Sequence, residues 1–354
     1  MFSKILIANR GEIAVRVIKT LKRMGIASVA VYSDADRFTK AVQLADEAVR
    51  LGPAPASESY LDVEAVIAAC KATGAEAVHP GYGFLSENIA FAQRLAEAGI
   101  VFIGPTPGNI EAFGLKHTAR ELAKTSGVPL LPGSNLLSSA AEALMAADAI
   151  GYPVMLKSTA GGGGIGMQLC ADASALTAAF DSVQRTATAS FGDARVYLER
   201  FVSDARHVEV QIFGDGNGKV IALGERDCSL QRRNQKVVEV TPASHLSDAV
   251  RARLHKAAID LGAAVNYASA GTVEFIYDPV REEFYFLEVN TRLQVEHPVT
   301  EAVLGIDLVE WMVRQAAGED PIADEGDLAP NGAAIEVRLY AEIPHADFRP
   351  SAGL

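Results

Sequence analysis

Short apolar runs alternate with segments of helical period over the first hundred residues. Ile5, Leu6 and Ile7 open one run; Ile13, Val17, Ile18 and Leu21 then recur at helical spacing, and residues 29–32 form the next run. Val63, Val66 and Ile67 mark a second helix, residues 77–78 a third run, Phe91 and Leu95 a further helix, and residues 101–103 another run. Strands alternating with helices predict a doubly wound parallel sheet, because parallel neighbours need a long crossover between them. Ligands of such sheets gather beyond the carboxyl ends of the strands, where the sequence puts Asn9-Arg10-Gly11-Glu12 and His79-Pro80-Gly81-Tyr82-Gly83. Neither loop spells GxGxxG, which argues against a dinucleotide.

A turn-rich break at Gly104-Pro105-Thr106-Pro107-Gly108 predicts a boundary. Residues 128–202 then read as a compact unit holding a strand that ends at Lys157, a glycine run, a helix and another strand. Strands at 207–213 and 220–225, a helix at 254–261 and a strand pair at 272–277 and 284–289 follow, and residues 334–340 open like a strand. At 354 residues, two or three domains are expected.

Composition narrows the function classes. Hydrophobic residues make up 49% and charged residues 21%, without low-complexity tracts, so the chain is globular. A formal charge of −12 excludes a general nucleic-acid binder, and anionic substrates would need locally basic pockets. Cys70, Cys170 and Cys228 are few and widely spaced, which suits a reducing compartment. The start lacks a signal-peptide pattern and no apolar stretch is long enough to span a bilayer, so a cytoplasmic protein without a membrane partner is expected.

Candidate chemistry begins at the glycine run 161–166, whose backbone N–H groups can approach a phosphate without Cβ obstruction. No GK[ST] closes it, so it is not a Walker A loop, and a flexible lid tip is the competing reading. Lys157 just upstream could reach phosphates as a point charge. A second signal is GTVEF at 271–275 with FLEVN at 286–290. If the hairpin turns about Arg281, Glu274 and Glu288 face each other and repel, and a divalent cation would remove the repulsion. With Asn290 along the same face, these hard oxygen donors suit Mg²⁺ or Mn²⁺. Phe284 and Phe286, in phase with Glu288, argue that this face is not solvated. Continued at period two, Glu288, Asn290, Arg292, Gln294 and Glu296 form a polar line with an oxyanion-binding arginine, an amide donor and a carboxylate fit for a general base. The basic segment 225–236 follows a strand and would concentrate anions, against the alternative of a solvated face. By itself, His207 reads as a packed or hydrogen-bonded core histidine rather than a metal ligand.

ANRGEIAVR, HPGYGFLSEN, KSTAGGGGIGM, RHVEVQ, ERDCSLQRRNQK, GTVEF and FLEVNTRLQVEHPVTE occur in that order over nearly the whole chain. Together they resemble the biotin carboxylase component of biotin-dependent carboxylases. The resemblance implies a doubly wound N-terminal domain over 1–112, an ATP-grasp domain over 113–330 with a lid at about 130–203, and the start of a truncated C-terminal domain at 331–354. It further implies that Lys116, Lys157 and His207 contact nucleotide phosphates or ribose and that Glu199 and Val202 border the adenine. Gly162, Gly163, Gly164, Met167, Gln231 and Asn234 complete the implied ligand-binding set. Glu274 and Glu288, with Asn290, would hold Mg²⁺; Lys236, Arg292, Gln294 and the backbone of Val295 would bind bicarbonate. Glu296 would deprotonate bicarbonate for attack on the γ-phosphate of ATP, giving carboxyphosphate, and Arg338 would stabilise the enolate of biotin.

The implied partners are MgATP, bicarbonate, a biotin carboxyl carrier, a carboxyltransferase domain or subunit, and a second copy in a homodimer. Within the family, Leu115 before Lys116, Ile165 after the glycines, Asn234, and Phe348-Arg349-Pro350-Ser351 resemble urea carboxylase more than acyl-CoA carboxylases. Guanidine and acyl-CoA carboxylases remain alternatives, as do another ATP-grasp ligase and an inactive paralogue with a binding role.

Overall fold

Apolar runs of the first hundred residues become β1 (Lys4–Ile7), β2 (Ala27–Ser33), β4 (Ala77–His79) and β5 (Val101–Phe102) in a computed structural model that describes residues 1–158, 166–191, 194–233, 235–324 and 328–351. With β3 (Glu47–Gly52) they form a five-stranded parallel sheet in the order β3-β2-β1-β4-β5. Helix Gly11–Met24 buries Ile13, Val17, Ile18 and Leu21, the predicted apolar stripe, and Gly25 ends it in the left-handed conformation. Strand β3 escapes the hydrophobic pattern because it is an edge strand whose side chains, up to Leu51, are exposed or half-buried.

Helix Lys116–Thr125 leads into a smaller unit built on a three-stranded sheet of β6 (Val154–Ser158), β7 (Met167–Cys170) and β8 (Val196–Arg200), ordered β7-β6-β8. Its own core gathers Leu156, Leu198 and Phe180 under helices Ala140–Ile150 and Ala173–Phe191.

The main sheet has six strands: β9 (Arg206–Asp215), β10 (Val220–Arg232), β11 (Gln235–Thr241), β12 (Ala268–Asp278), β13 (Glu283–Asn290) and β14 (Ala334–Val337), ordered β13-β12-β9-β10-β11-β14 with every pair antiparallel. One face, with Val208, Val210, Val273 and Phe275, packs on Leu254 and Leu261 of helix Asp248–Ala263. Along the other face Glu209, Gln211, Thr272 and Glu274 are buried polar residues, and beyond them Phe213 joins a core shared with Ile13 and with Trp311 of helix Leu308–Ala316. The parallel-sheet unit therefore closes over one end of the polar face. A last pair, β15 (Glu342–Ile343) and β16 (Arg349–Pro350), lies near the end of the described chain. No helix among the described residues is long and apolar enough to cross a membrane.

Three expectations need correction. Strand β10 runs on through Arg232, so the basic segment is itself strand and hairpin rather than a loop after a strand. Strand β14 ends at Val337, although the Arg338 N–H still donates to the Val237 carbonyl at 2.9 Å. Lastly, Phe284 and Phe286 do not share a face with Glu288. Glu274 pairs with Glu288 but Phe275 pairs with Phe286, so Leu287 is the extra residue of a β-bulge that reverses the side-chain phase. The phenylalanines enter the apolar core, and the glutamates face the polar side.

Candidate active site

The polar face opens into a cavity of about 640 Å³. His207 from β9, Gln231 from β10, Lys236 from β11, Glu274 from β12 and Glu288 and Asn290 from β13 reach it from neighbouring strands. Past Asn290 the chain leaves the strand and Leu293 turns into the core, so the period-two line does not persist as extended chain. Arg292, Gln294, Val295 and Glu296 nevertheless all line the cavity, and Arg338 closes its far side.

Charge is concentrated around Lys236. Its Nζ donates to Glu209 at 2.5 Å, to Glu296 at 2.7 Å and to Glu274 at 2.9 Å. Burial alone would lower the lysine pKa, but the three carboxylates outweigh it and raise it above the usual range. Glu274 also accepts from Asn290 Nδ2 and Gln294 Nε2, both at 2.8 Å, and its other oxygen lies 2.7 Å from His207 Nε2 as an ionic contact rather than an aligned hydrogen bond. Burial pushes Glu274 up, yet His207 and Lys236 hold it well below the ordinary carboxylate value. The reciprocal effect raises His207 against the burial that would lower it. The other ring nitrogen of His207 contacts Gln231 Nε2 at 2.9 Å.

Glu296, at the N-cap of helix His297–Leu304, is 2% exposed and held between two cations, Lys236 and the Arg338 guanidinium at 3.1 Å. Arg338 also donates from Nε to Glu239 at 2.6 Å. Arg292 donates to the Asn290 side-chain oxygen at 2.6 Å.

Among the described residues, Lys157, Glu199, Met167 and Val202 do not line this cavity. Lys157 on β6 donates to Glu199 on β8 at 2.5 Å, and Arg120 donates to the same carboxylate at 2.8 Å. Met167 pairs with Lys157 across the β6–β7 ladder, and half-buried Val202 follows β8. Gly162, Gly163, Gly164 and Asn234 lie outside the described residues, as does the side chain of Lys116.

Sequence reasoning missed Arg226. This fully buried guanidinium donates to Glu209 at 2.6 Å, to Gln211 and Gln294 at 2.9 Å and to Thr300 at 2.8 Å. It therefore ties the sheet to the segment carrying Gln294 and Glu296. The alternation of His207, Glu209 and Gln211 in RHVEVQ was the available signal that a polar row here needs a buried partner.

Residues 1–110 match the family described as "Biotin carboxylase, N-terminal domain", and residues 116–321 match "Carbamoyl-phosphate synthase L chain, ATP binding domain". A biotin carboxylase of Halalkalibacterium halodurans is 50% identical over 355 residues, covering 100% of this chain and 78% of that protein. The chain belongs to the biotin carboxylase family. Biotin carboxylase homologues are ATP-dependent ligases, and the expected fold, a parallel-sheet domain followed by an ATP-grasp domain, is the one found. The urea amidolyase of Lachancea kluyveri is 58% identical over 353 residues, which take in 100% of this chain but 19% of that protein. The chain thus spans about a fifth of the length of that relative. Among solved structures, the biotin carboxylase domain dimer of Hydrogenobacter thermophilus 2-oxoglutarate carboxylase, in complex with MgADP, ADP and bicarbonate, is similar at a TM-score of 0.87 and 45% identity, covering 99% of this chain and 77% of that one.

Proposed function

We propose that this biotin carboxylase chain uses MgATP and bicarbonate to carboxylate biotin borne on a carrier protein, as the first half-reaction of a urea carboxylase in the cytoplasm. The carrying observation is the position of Glu296: a buried carboxylate between Lys236 and Arg338, in a cavity also lined by Arg292 and Gln294. Such an arrangement suits an oxyanion and its proton. Lys236, Arg292, Gln294 and the Val295 backbone would bind bicarbonate. Glu296 would take its proton as the oxygen attacks the γ-phosphate, ADP leaves and carboxyphosphate forms. Carboxyphosphate breaks down to CO₂ and phosphate, and Arg338 would stabilise the enolate of biotin that captures the CO₂.

Glu274 and Glu288, directly opposed on β12 and β13, and Asn290 fit a hard divalent cation, for they offer oxygen donors to one cavity. When bound there, Mg²⁺ or Mn²⁺ would neutralise charge on the nucleotide phosphates. Lys116 and Lys157 would hold those phosphates, with Glu199 and Val202 beside the adenine. The urea assignment rests on the similarity to the urea amidolyase, whose remaining length would supply the carrier and carboxyltransferase parts.

Glu296→Gln tests the chemistry. It should retain nucleotide binding while biotin carboxylation falls by about 10²-fold or more. Normal carboxylation at saturating ATP, or ATP hydrolysis by the native chain that bicarbonate does not stimulate, would remove the proposal.

A further inference from the structure

Two motifs have no role in the chemistry above: ANRGEIAVR after β1 and HPGYGFLSEN after β4. The structure joins them. Asn9 Nδ2 donates to the Pro80 carbonyl at 2.8 Å and to the Tyr82 carbonyl at 2.7 Å, fixing the start of the second loop from the first. Gly81 is required there: its φ is +64°, and a Cβ would lie 2.9 Å from Asn9 Nδ2 and 3.1 Å from Ile13. Further along, Leu85 is buried in the core, and Asn88 caps helix Ile89–Glu97 by accepting from the Phe91 N–H at 2.8 Å. Glu87 stands between these two anchors.

Its carboxylate spans to the other domain. One oxygen accepts from the Thr291 N–H at 3.0 Å and the Thr291 hydroxyl at 3.2 Å, while the other accepts from Arg292 Nε at 2.9 Å. The Asn290 side-chain oxygen accepts from Arg292 Nη2, so the guanidinium is held at two of its three nitrogens and Nη1 has only a 3.5 Å contact with the Leu293 carbonyl.

We propose that Glu87 is a positioning residue for the reaction, which aligns the Arg292 guanidinium so that Nη1 faces bicarbonate, and that the two N-terminal motifs exist to hold Glu87 in place. This rests on the assignment of Arg292 to bicarbonate. An ion pair with 40% and 22% exposed side chains contributes little to stability, so the value of this one lies in orientation. Held at two nitrogens, the arginine loses little further freedom when it meets an anion.

The test is steady-state kinetics of bicarbonate-dependent ATP cleavage with free biotin, on the native chain, Glu87→Ala, Glu87→Gln, Arg292→Lys and the Glu87→Ala/Arg292→Lys double variant. Glu87→Ala should raise the KM for bicarbonate about tenfold with the KM for ATP and the Tm little changed, because misalignment affects only the group it aligns. Glu87→Gln, which keeps an acceptor in place, should recover much of the loss. In the double variant the effect of removing Glu87 should shrink well below its effect alone. An unchanged KM for bicarbonate in Glu87→Ala overturns the proposal, and so does an equal rise in both KM values with a fall in Tm, the mark of a mere tether between domains. Full additivity with Arg292→Lys overturns it while leaving the bicarbonate site standing. An unchanged KM for bicarbonate in Arg292→Lys alone removes the assignment beneath it.

Discussion

Arg226 illustrates how one residue can organise a site that it does not line. A fully buried guanidinium is costly to desolvate, and it is kept here by Glu209 together with acceptors on Gln211, Thr272, Gln294 and Thr300. The guanidinium draws Gln294 inward, and that fixes the direction in which the chain approaches Glu296. Removing the cation would leave Glu209, 0% exposed, with Lys236 as its remaining cationic partner among those described. Arg226→Met is therefore expected to destabilise the chain by about 3 kcal/mol in chemical denaturation, the range for breaking a buried pair from one side. A loss below about 1 kcal/mol would mean that the network relaxes more freely than its hydrogen bonds imply.

Among the secondary-structure elements, the pairing of β11 with β14 sets two carboxylates against each other, Glu239 opposite Glu336. Like charges directly opposed on one face destabilise a ladder. Each residue also has one buried oxygen without a hydrogen-bond partner among the described residues. Burial first, and then Glu239 and Glu296, push Glu336 up to about 7 from an ordinary value of 4.5. Between those values the folded chain keeps a proton that the unfolded chain has released. Stability therefore falls as pH rises through this window, and the full cost is present above it. Glu336→Gln should flatten this slope and give a higher Tm than the native chain at pH 8, with the advantage fading toward pH 5, in parallel thermal scans. Equal slopes for both chains would mean that the pair does not titrate in this range.

On the scale of the whole molecule, the small three-stranded unit and the six-stranded sheet contribute separate parts of one proposed nucleotide site. Lys157 and Glu199 lie on the small unit, while Glu274 and Glu288 lie on the large sheet. A ligand bridging them acts as a fastener. MgATP at a hundredfold excess over its Kd should stabilise the chain by about 2.7 kcal/mol, seen as a rise in Tm. Glu288→Gln should lose most of the Mg²⁺-dependent part of this rise while its own Tm without ligand stays close to native. An unchanged Mg²⁺ dependence would remove Glu288 from the metal site.

Much of this was legible in the sequence, since local patterns carry it. Alternating strands and helices gave the parallel sheet, and the two runs flanking Arg281 gave an antiparallel hairpin, although the register set by its turn would place Glu274 opposite Leu287 and only the bulge brings it to Glu288. Edge strand β3 was hidden because exposure erases the hydrophobic pattern on which such reading depends. Tertiary structure alone decided the rest. One extra residue at Leu287 separated the phenylalanines from the glutamates, a phase change that strict period-two counting cannot register. Contacts between residues far apart in the chain brought Glu87 to Arg292, and Arg226 to Gln294 and Thr300. Sequence determines which groups are available and which face of an element carries them. Which distant charges must share one buried space, and so offset each other's desolvation, is fixed only when the sheets and domains pack.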